Sequence, residues 1–453
     1  MSRDNLPAEK EIKQSLNMVI IAVTFGITLF AVINGPILTA YTRALGAGDF
    51  VYAVIMAMPV VGAILQVFAS YFLERTGKRK KVFLLFGFIH RLVWIPIAVI
   101  PFLIPENLFT LRIIIVTLLI AVAACANSIC SIAFNSWMGS LVPMEIRGRF
   151  FSKRTMIYTI SSGIASLVAS RFVDVVPGFK GYMLVFIIVA IFGTVDIAFF
   201  IWIKHPPMAV SQEKTSFFRM FFEPFKNKNY MYFTLFISLW YFAVNFAGPF
   251  FNVYMLEHLK MKLFIASICG QVISNVSTVL FIRFWGKIAD KFGNKPVLLV
   301  CCIVIISLPF MWLVLTPQNY WLILGINFIG GTVWPGVELT VMNMSIWLAP
   351  EKNRSMYIAN YTLVMNVVGV AVAYLCGGAF MQVARPFFDS LRLPFIFGQT
   401  LNSFHILFVI SGLIRIVVLV TMFRHFGEDN SKSAGEMLKS INTGIKKKVG
   451  INS

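Results

Sequence analysis

Twelve long apolar runs dominate this chain, and they leave few folds open to it. They lie at about residues 17–41, 51–73, 82–104, 110–141, 155–176, 181–203, 230–256, 264–286, 296–316, 320–349, 356–382 and 402–423. Crossing the hydrocarbon core of a bilayer takes about 20 mostly apolar residues in a helix. Twelve such runs in 453 residues leave too little polar surface to keep a soluble fold in solution. The composition agrees: 58% of residues are hydrophobic, 13% are charged, and 45 are Phe. The mean hydropathy is +0.81. In lipid the backbone must satisfy its own hydrogen bonds, so runs of this length are read as helices. The expected class is an all-α membrane protein with twelve transmembrane helices.

The formal net charge of +20 could fit nucleic acid, but its distribution excludes that partner. Basic residues fall in short clusters between the apolar runs. With a cytoplasmic N-terminus, the inner segments carry 28 Lys and Arg and the outer loops 7, counting Arg112 at the outer edge of the fourth run. Four more, Arg91, Arg171, Arg283 and Arg415, lie within spans. That asymmetry places both termini in the cytoplasm of a cell inner (plasma) membrane protein. The first run is too long for a signal-peptide core and is read as a retained span.

The six cysteines (125, 130, 269, 301, 302 and 376) all lie in apolar segments without metal-ligand spacing. The five His residues are scattered, and no metalloprotease, P-loop or nucleophile-elbow motif is present. The chain is therefore read as a non-enzyme without cofactor or metal and not driven by ATP. It is expected to act as a monomer.

Four local patterns recur at a nearly constant offset. Gly35-Pro36 with Tyr41 returns as Gly248-Pro249 with Tyr254. The loop Glu74-Arg75-Thr76-Gly77-Lys78-Arg79 returns as Asp290-Lys291-Phe292-Gly293-Asn294-Lys295. Pro143, Arg147, Gly148 and Phe150 return as Pro350, Arg354, Ser355 and Tyr357. Gly193 and Asp196 return as Gly412 and Arg415. The offsets run from 207 to 219 residues. Two six-helix bundles related by a pseudo-twofold axis along the membrane normal are expected, able to rock about a site between them. The divisions are 1–16 (cytoplasmic N-terminus), 17–203 (first bundle), 204–229 (cytoplasmic linker), 230–424 (second bundle) and 425–453 (cytoplasmic tail). In the linker, aromatics at 216–225 followed by Lys226 and Lys228 fit a segment lying on the inner membrane surface, or simply a connector.

The loop Gly286-x-x-Ala289-Asp290-x-x-Gly293-x-Lys295 resembles the loop signature of the major facilitator superfamily (MFS). The first-half copy departs from it, with Ser70, Leu73 and Glu74 at the first three signature positions. The resemblance spans about residues 15 to 425. It implies a secondary transporter working by alternating access, with this loop latching the inward gate. Gly77 and Gly293 permit tight turns. Glu74 would pair with Arg147 or Arg149, and Asp290 with Arg354. Arg79 and Gly286 complete the candidate gating set.

Ionisable residues inside a span are costly and are candidate functional groups. Glu338 lies in Gly330-Gly331-Thr332-Val333-Trp334-Pro335-Gly336-Val337-Glu338, a run expected to loosen or break span ten. It sits about 11 residues, roughly 16 Å, from the inner end. It is the leading candidate for proton coupling and substrate contact, with pairing to Arg415 as the plainer reading. Arg91 and Asp196 lie at similar depth, roughly 11–14 Å above the inner surface. They are read as a buried pair, with Arg91 as a possible ligand for an anionic substrate and Asp196 as a second proton-coupling candidate. Arg283, near the inner end of span eight, is expected to snorkel.

Further substrate candidates are Asn34, Tyr41, Trp240, Asn245, Tyr254 and Trp334, with Asn127, Tyr241, Gln271 and Asn275 beside them. Interhelical hydrogen bonding explains such residues equally well. The mixture suits a small amphipathic solute such as a sugar or glycoside, with protons as a coupling partner and the lipid bilayer as surroundings. The competing readings are a non-transporting receptor on the same fold and a drug or metabolite efflux antiporter. Span five reads Ser161-Ser162-Gly163-Ile164-Ala165-Ser166 and lacks the Gly-Pro signature of drug antiporters, which weighs against efflux.

Overall fold

The computed structural model describes residues 9–203, 223–350, 354–391, 393–428, 432–437 and 439–440. Residues 204–222 of the linker, which include most of its aromatic run, lie outside the described residues, as do 1–8 and 441–453, whereas Glu223–Lys226 form a short 3-10 turn. Among the described residues the secondary structure is helical apart from one isolated bridge pair, Pro394 with Thr400. Twelve helical stretches among these described residues are long and apolar enough to cross a membrane.

The chain divides into two compact units. One comprises Met1–Lys214 with Phe251–Ile268, the other Thr215–Phe250 with Cys269–Ser453. This division differs from the sequence boundaries by moving the outer part of span seven and the start of span eight to the first unit.

The first unit holds α1 (Glu9–Ile33), α2 (Pro36–Ala44), α3 (Asp49–Thr76), α4 (Arg79–Leu92), α5 (Trp94–Leu103), α6 (Phe109–Leu141), α7 (Met144–Val175) and α8 (Phe179–Phe199). The second begins with α9 (Lys228–Asn245). After it come α10 (Phe250–Val253), a π turn (Tyr254–His258) and α11 (Leu263–Ser267), most of which group with the first unit. The second unit continues with a π turn (Ile268–Val272), α12 (Ile273–Phe292), α13 (Asn294–Met311), α14 (Ile323–Trp347), α15 (Arg354–Val364), a longer π stretch (Met365–Val372), α16 (Ala373–Leu391) and α17 (Ser403–Met422).

The repeated Gly-Pro pairs are helix breaks. α1 ends at Ile33 and α2 starts on Pro36, while α9 ends at Asn245 and α10 starts just after Pro249. Proline has no N–H to give the preceding turn, so it is tolerated where a new helix begins. The tyrosines after these breaks correct a sequence expectation. Tyr41 is fully buried, donates its hydroxyl to the Ile97 carbonyl at 2.5 Å and meets Phe186 edge-on at 5.0 Å. Tyr254 is also fully buried and stacks on His258 at 4.7 Å. Both are core groups rather than substrate contacts, because neither ring is left a free face.

Gly77 and Gly293 do make the expected turns. Both have positive φ, 62° and 95°, and their N–H groups close the preceding helix on Leu73 and Ala289. A side chain would be strained there.

The expected break in span ten does not occur: α14 runs continuously through Pro335. The residues that would break a helix are used to pack it. A Cβ on Gly331 would lie 2.5 Å from the Ser274 carbonyl oxygen, and one on Gly336 would lie 2.5 Å from Cys301 Sγ. Pro335 cannot donate to the Gly331 carbonyl, and the Thr278 hydroxyl of α12 donates to that oxygen at 3.3 Å. Trp285 Nε1 donates to the adjacent Thr332 carbonyl at 2.7 Å. Neighbouring side chains thus satisfy backbone groups that lipid could not.

A second polar device holds α11 to α7. Asp174 accepts from the Leu263 and Phe264 N–H groups at 3.0 and 2.9 Å, and the Ser170 and Ser267 hydroxyls meet at 2.6 Å. Nearby, Arg43 bridges Asp49 at 3.0 Å and Glu257 at 2.5 Å. Asp174→Ala should lower stability by about 1–2 kcal/mol, because two N–H groups at a helix start lose their acceptor. A thermal-unfolding midpoint equal to that of the parent protein would show the cap to be idle.

Candidate functional site

Two polar clusters lie within spans, one in each unit. In the first unit Arg91 on α4 and Asp196 on α8 form an ion pair at 3.0 Å. Both residues are buried, at 5% and 7% exposure. Arg91 also donates to His90 Nδ1 at 2.7 Å, which makes that nitrogen the acceptor of a neutral ring. Glycines make room for the pair. A Cβ on Gly193 would come within 2.6 Å of Arg91 Cγ, and one on Gly26 would collide with the Asp196 carboxylate.

Beside the pair opens a cleft of about 240 Å³, lined from α1, α4, α6, α7 and α8. Arg154 of α7 reaches into it. Its guanidinium lies 4.8 Å from the Phe134 ring and within electrostatic reach of Asp196 and Tyr158. Asn127 of α6, a weaker sequence candidate, lines the same cleft.

In the second unit Glu338 is exposed on α14. One turn before it, Trp334 packs against Tyr241 of α9 at 6.1 Å. The Tyr241 hydroxyl is within electrostatic reach of Glu338. Asn245, one turn beyond Tyr241, donates to the Gly369 carbonyl in the π stretch at 3.0 Å. Glu338, Trp334, Tyr241 and Asn245 thus form one neighbourhood.

The remaining candidates fall elsewhere. Arg415 does not pair with Glu338: it is buried and donates to the Ile305 carbonyl at 2.8 Å and to Ser411 Oγ at 3.2 Å. Trp240 is fully buried against Phe236, so its substrate role is corrected to packing. Asn34 is exposed in the turn before α2. Arg283 is exposed, as a snorkelling side chain would be.

The gating set is dispersed. Arg79 is buried and donates to the Ser136 carbonyl and Ser140 Oγ, each at 2.7 Å, so it anchors α4 to α6. Arg147 donates to the Gly139 and Val142 carbonyls at the end of α6. The side chains of Glu74 and Arg354 lie outside the described residues. Asp290 is exposed, and Gly286 makes ordinary contact with Leu339. The turn after Asp290 is instead met by the C-terminal stretch. Glu428 accepts from Asn294 Nδ2 at 2.6 Å and from the Lys295 N–H at 2.8 Å, placing a carboxylate at the start of α13.

Sequence reasoning passed over Arg154, which it counted as an inner-loop charge. A signal was available: Asn127, Ser131 and Asn135 recur every fourth residue on span four, a polar stripe that asks for a partner.

A long helical membrane chain with a charged cleft in one unit and a lone mid-span carboxylate in the other belongs among membrane transporters. The family model described as Major Facilitator Superfamily matches residues 20–373 and 270–445. This chain is a member of the Major Facilitator Superfamily. No curated protein matches the sequence. Solved structures share the fold. The nucleoside transporter NupG has a TM-score of 0.69 at 16% identity, covering 92% of this chain and 100% of its own. A bacterial homologue of the human lysosomal transporter Spinster, inward-facing and occupied, has a TM-score of 0.64 at 13% identity, with coverage of 93% and 100%. A D-xylose–proton symporter has a TM-score of 0.60 at 13% identity, with coverage of 92% and 98%.

Proposed function

We propose that this chain is a secondary active transporter moving a small organic solute by alternating access, coupled to protons through Glu338. The observation that carries the reading is the contrast between the two mid-span carboxylates. Asp196 answers the charge of Arg91. Glu338 makes no hydrogen bond or ion pair among the described residues and is exposed. An intramembrane carboxylate without a cation is costly unless it has a task, and carrying a proton is the task such groups perform in transporters. Trp334 and Tyr241 beside it offer aromatic surface of the kind that holds sugar or nucleoside rings. The similar structures named as a nucleoside transporter and a D-xylose–proton symporter support a solute of that size and proton coupling. The excess of basic residues in alternate loops supports a plasma-membrane protein with both termini in the cytoplasm. Gly77 and Gly293 serve as rigid turns at the inner ends of the spans, and Asp290 is retained as a gating residue.

The test uses the full chain in proteoliposomes, with a solute first identified by thermal-shift screening of a broad library. Under an inwardly directed proton gradient, Glu338→Gln should abolish accumulation above equilibrium while leaving counterflow exchange of the same solute. Accumulation by the variant with an unchanged pH dependence would refute the coupling role.

A further inference from the structure

We infer that the cleft of the first unit is an anion-binding site, with Arg154 as the group that receives a carboxylate or similar planar anion on the solute. This rests on the transport reading and narrows it to solutes carrying a negative charge. Three charged side chains meet at the cleft, Arg91, Asp196 and Arg154. The ion pair cancels the first two and leaves one positive charge, on Arg154. That guanidinium has no hydrogen bond or ion pair among the described residues, and its Nε is buried without a partner. Among the described residues its close contact is the Phe134 ring, with Asp196 and Tyr158 in electrostatic reach. A cation over a ring face keeps its in-plane N–H donors free, and a guanidinium fork matches a carboxylate with two parallel hydrogen bonds.

The cleft supplies further partners for a polar solute. Asn127, Ser131 and Asn135 lie one turn apart along α6, and all three line the cleft. None makes a side-chain hydrogen bond among the described residues. Tyr158, one turn beyond Arg154 on α7, brings a hydroxyl to the same space. Unmatched polar groups on two helix faces within membrane spans are tolerated where they line a wet cavity or a ligand site. A volume of about 240 Å³ holds a compact organic acid. Arg91, the sequence candidate for the anion, is committed to Asp196 and His90, so the role passes to Arg154.

The experiment modifies arginines of the purified full-length protein in detergent with p-hydroxyphenylglyoxal, which attacks free guanidinium groups. The sites are mapped by peptide mass spectrometry at constant ionic strength. Arg154 should react, and benzoate should slow its modification by about fivefold or more relative to the neutral isostere benzamide, through paired charge-assisted bonds. Exposed Arg149 should react equally with either additive. Failure of Arg154 to react while Arg149 does would overturn the proposal, as would equal rates in benzoate and benzamide. No proton gradient enters this measurement, so a failed Glu338 test leaves its outcome standing, and the reverse holds as well.

Discussion

Asp196→Asn should sharply reduce the amount of folded protein, and adding Arg91→Gln should recover much of it. The single change leaves a buried guanidinium without its counter-charge, in a cleft where Arg154 already carries an unpaired positive charge. Breaking a buried pair from one side typically costs about 3–5 kcal/mol. Removing both charges restores the parent net charge of the cleft, and replacing a whole buried pair is often close to neutral. Gly26 and Gly193 leave room for side chains of this size, so the double variant introduces no overpacking. The measurement is the monodisperse yield in size-exclusion chromatography with the thermal midpoint of each variant. A double variant no better than Asp196→Asn alone would mean that the two residues act independently, and the pair would lose its structural role.

Gly331→Ala is the second large effect, expected to cost about 1–3 kcal/mol or more through overpacking. Its new methyl would stand 2.5 Å from the Ser274 carbonyl oxygen and 2.8 Å from Ser277 Cβ, and a backbone oxygen cannot swing aside as a flexible side chain would. α12 and α14 would have to separate. Separation also pulls Thr278 from the Gly331 carbonyl and Trp285 from the Thr332 carbonyl, exposing the acceptors that Pro335 frees or that lie beside it. Close approach through small residues is a main source of cohesion between helices in lipid, where no hydrophobic force presses them together. By contrast Gly325→Ala meets nothing within 4 Å and should leave the thermal midpoint where it is or raise it slightly. Equal midpoints for the two variants would show that the α12–α14 approach has slack.

These two sites mark the boundary of what could be read beforehand. The Gly-Gly-x-x-Trp-Pro-Gly run in span ten was read as a break, because glycine and proline are local helix breakers. α14 stays helical because α12 occupies the space the glycines leave and donates to its freed carbonyls. At Gly35-Pro36 and Gly248-Pro249, read in the sequence only as a repeat within continuous spans, the helices do end. Tyr41, Trp240 and Tyr254 show the same limit. An aromatic or polar residue on an expected cavity helix looks alike in sequence whether it faces a solute or the core.

What the sequence determined by itself was set by short-range physics: spans long enough to cross a bilayer, glycine turns with positive φ at residues 77 and 293, and loop signatures that place the chain in its superfamily. Each depends on residues within about one helix length. The tertiary structure decided which charge meets which. The Arg91–Asp196 pair was already offered by the sequence, but only packing turned Arg415 to Ile305 instead of Glu338 and brought Arg154 from a presumed loop into a cleft. The reason is geometric. A membrane helix can present any face to its neighbours at nearly the same hydropathy, so its rotation, and with it the partner of every polar group, is set only when the helices pack.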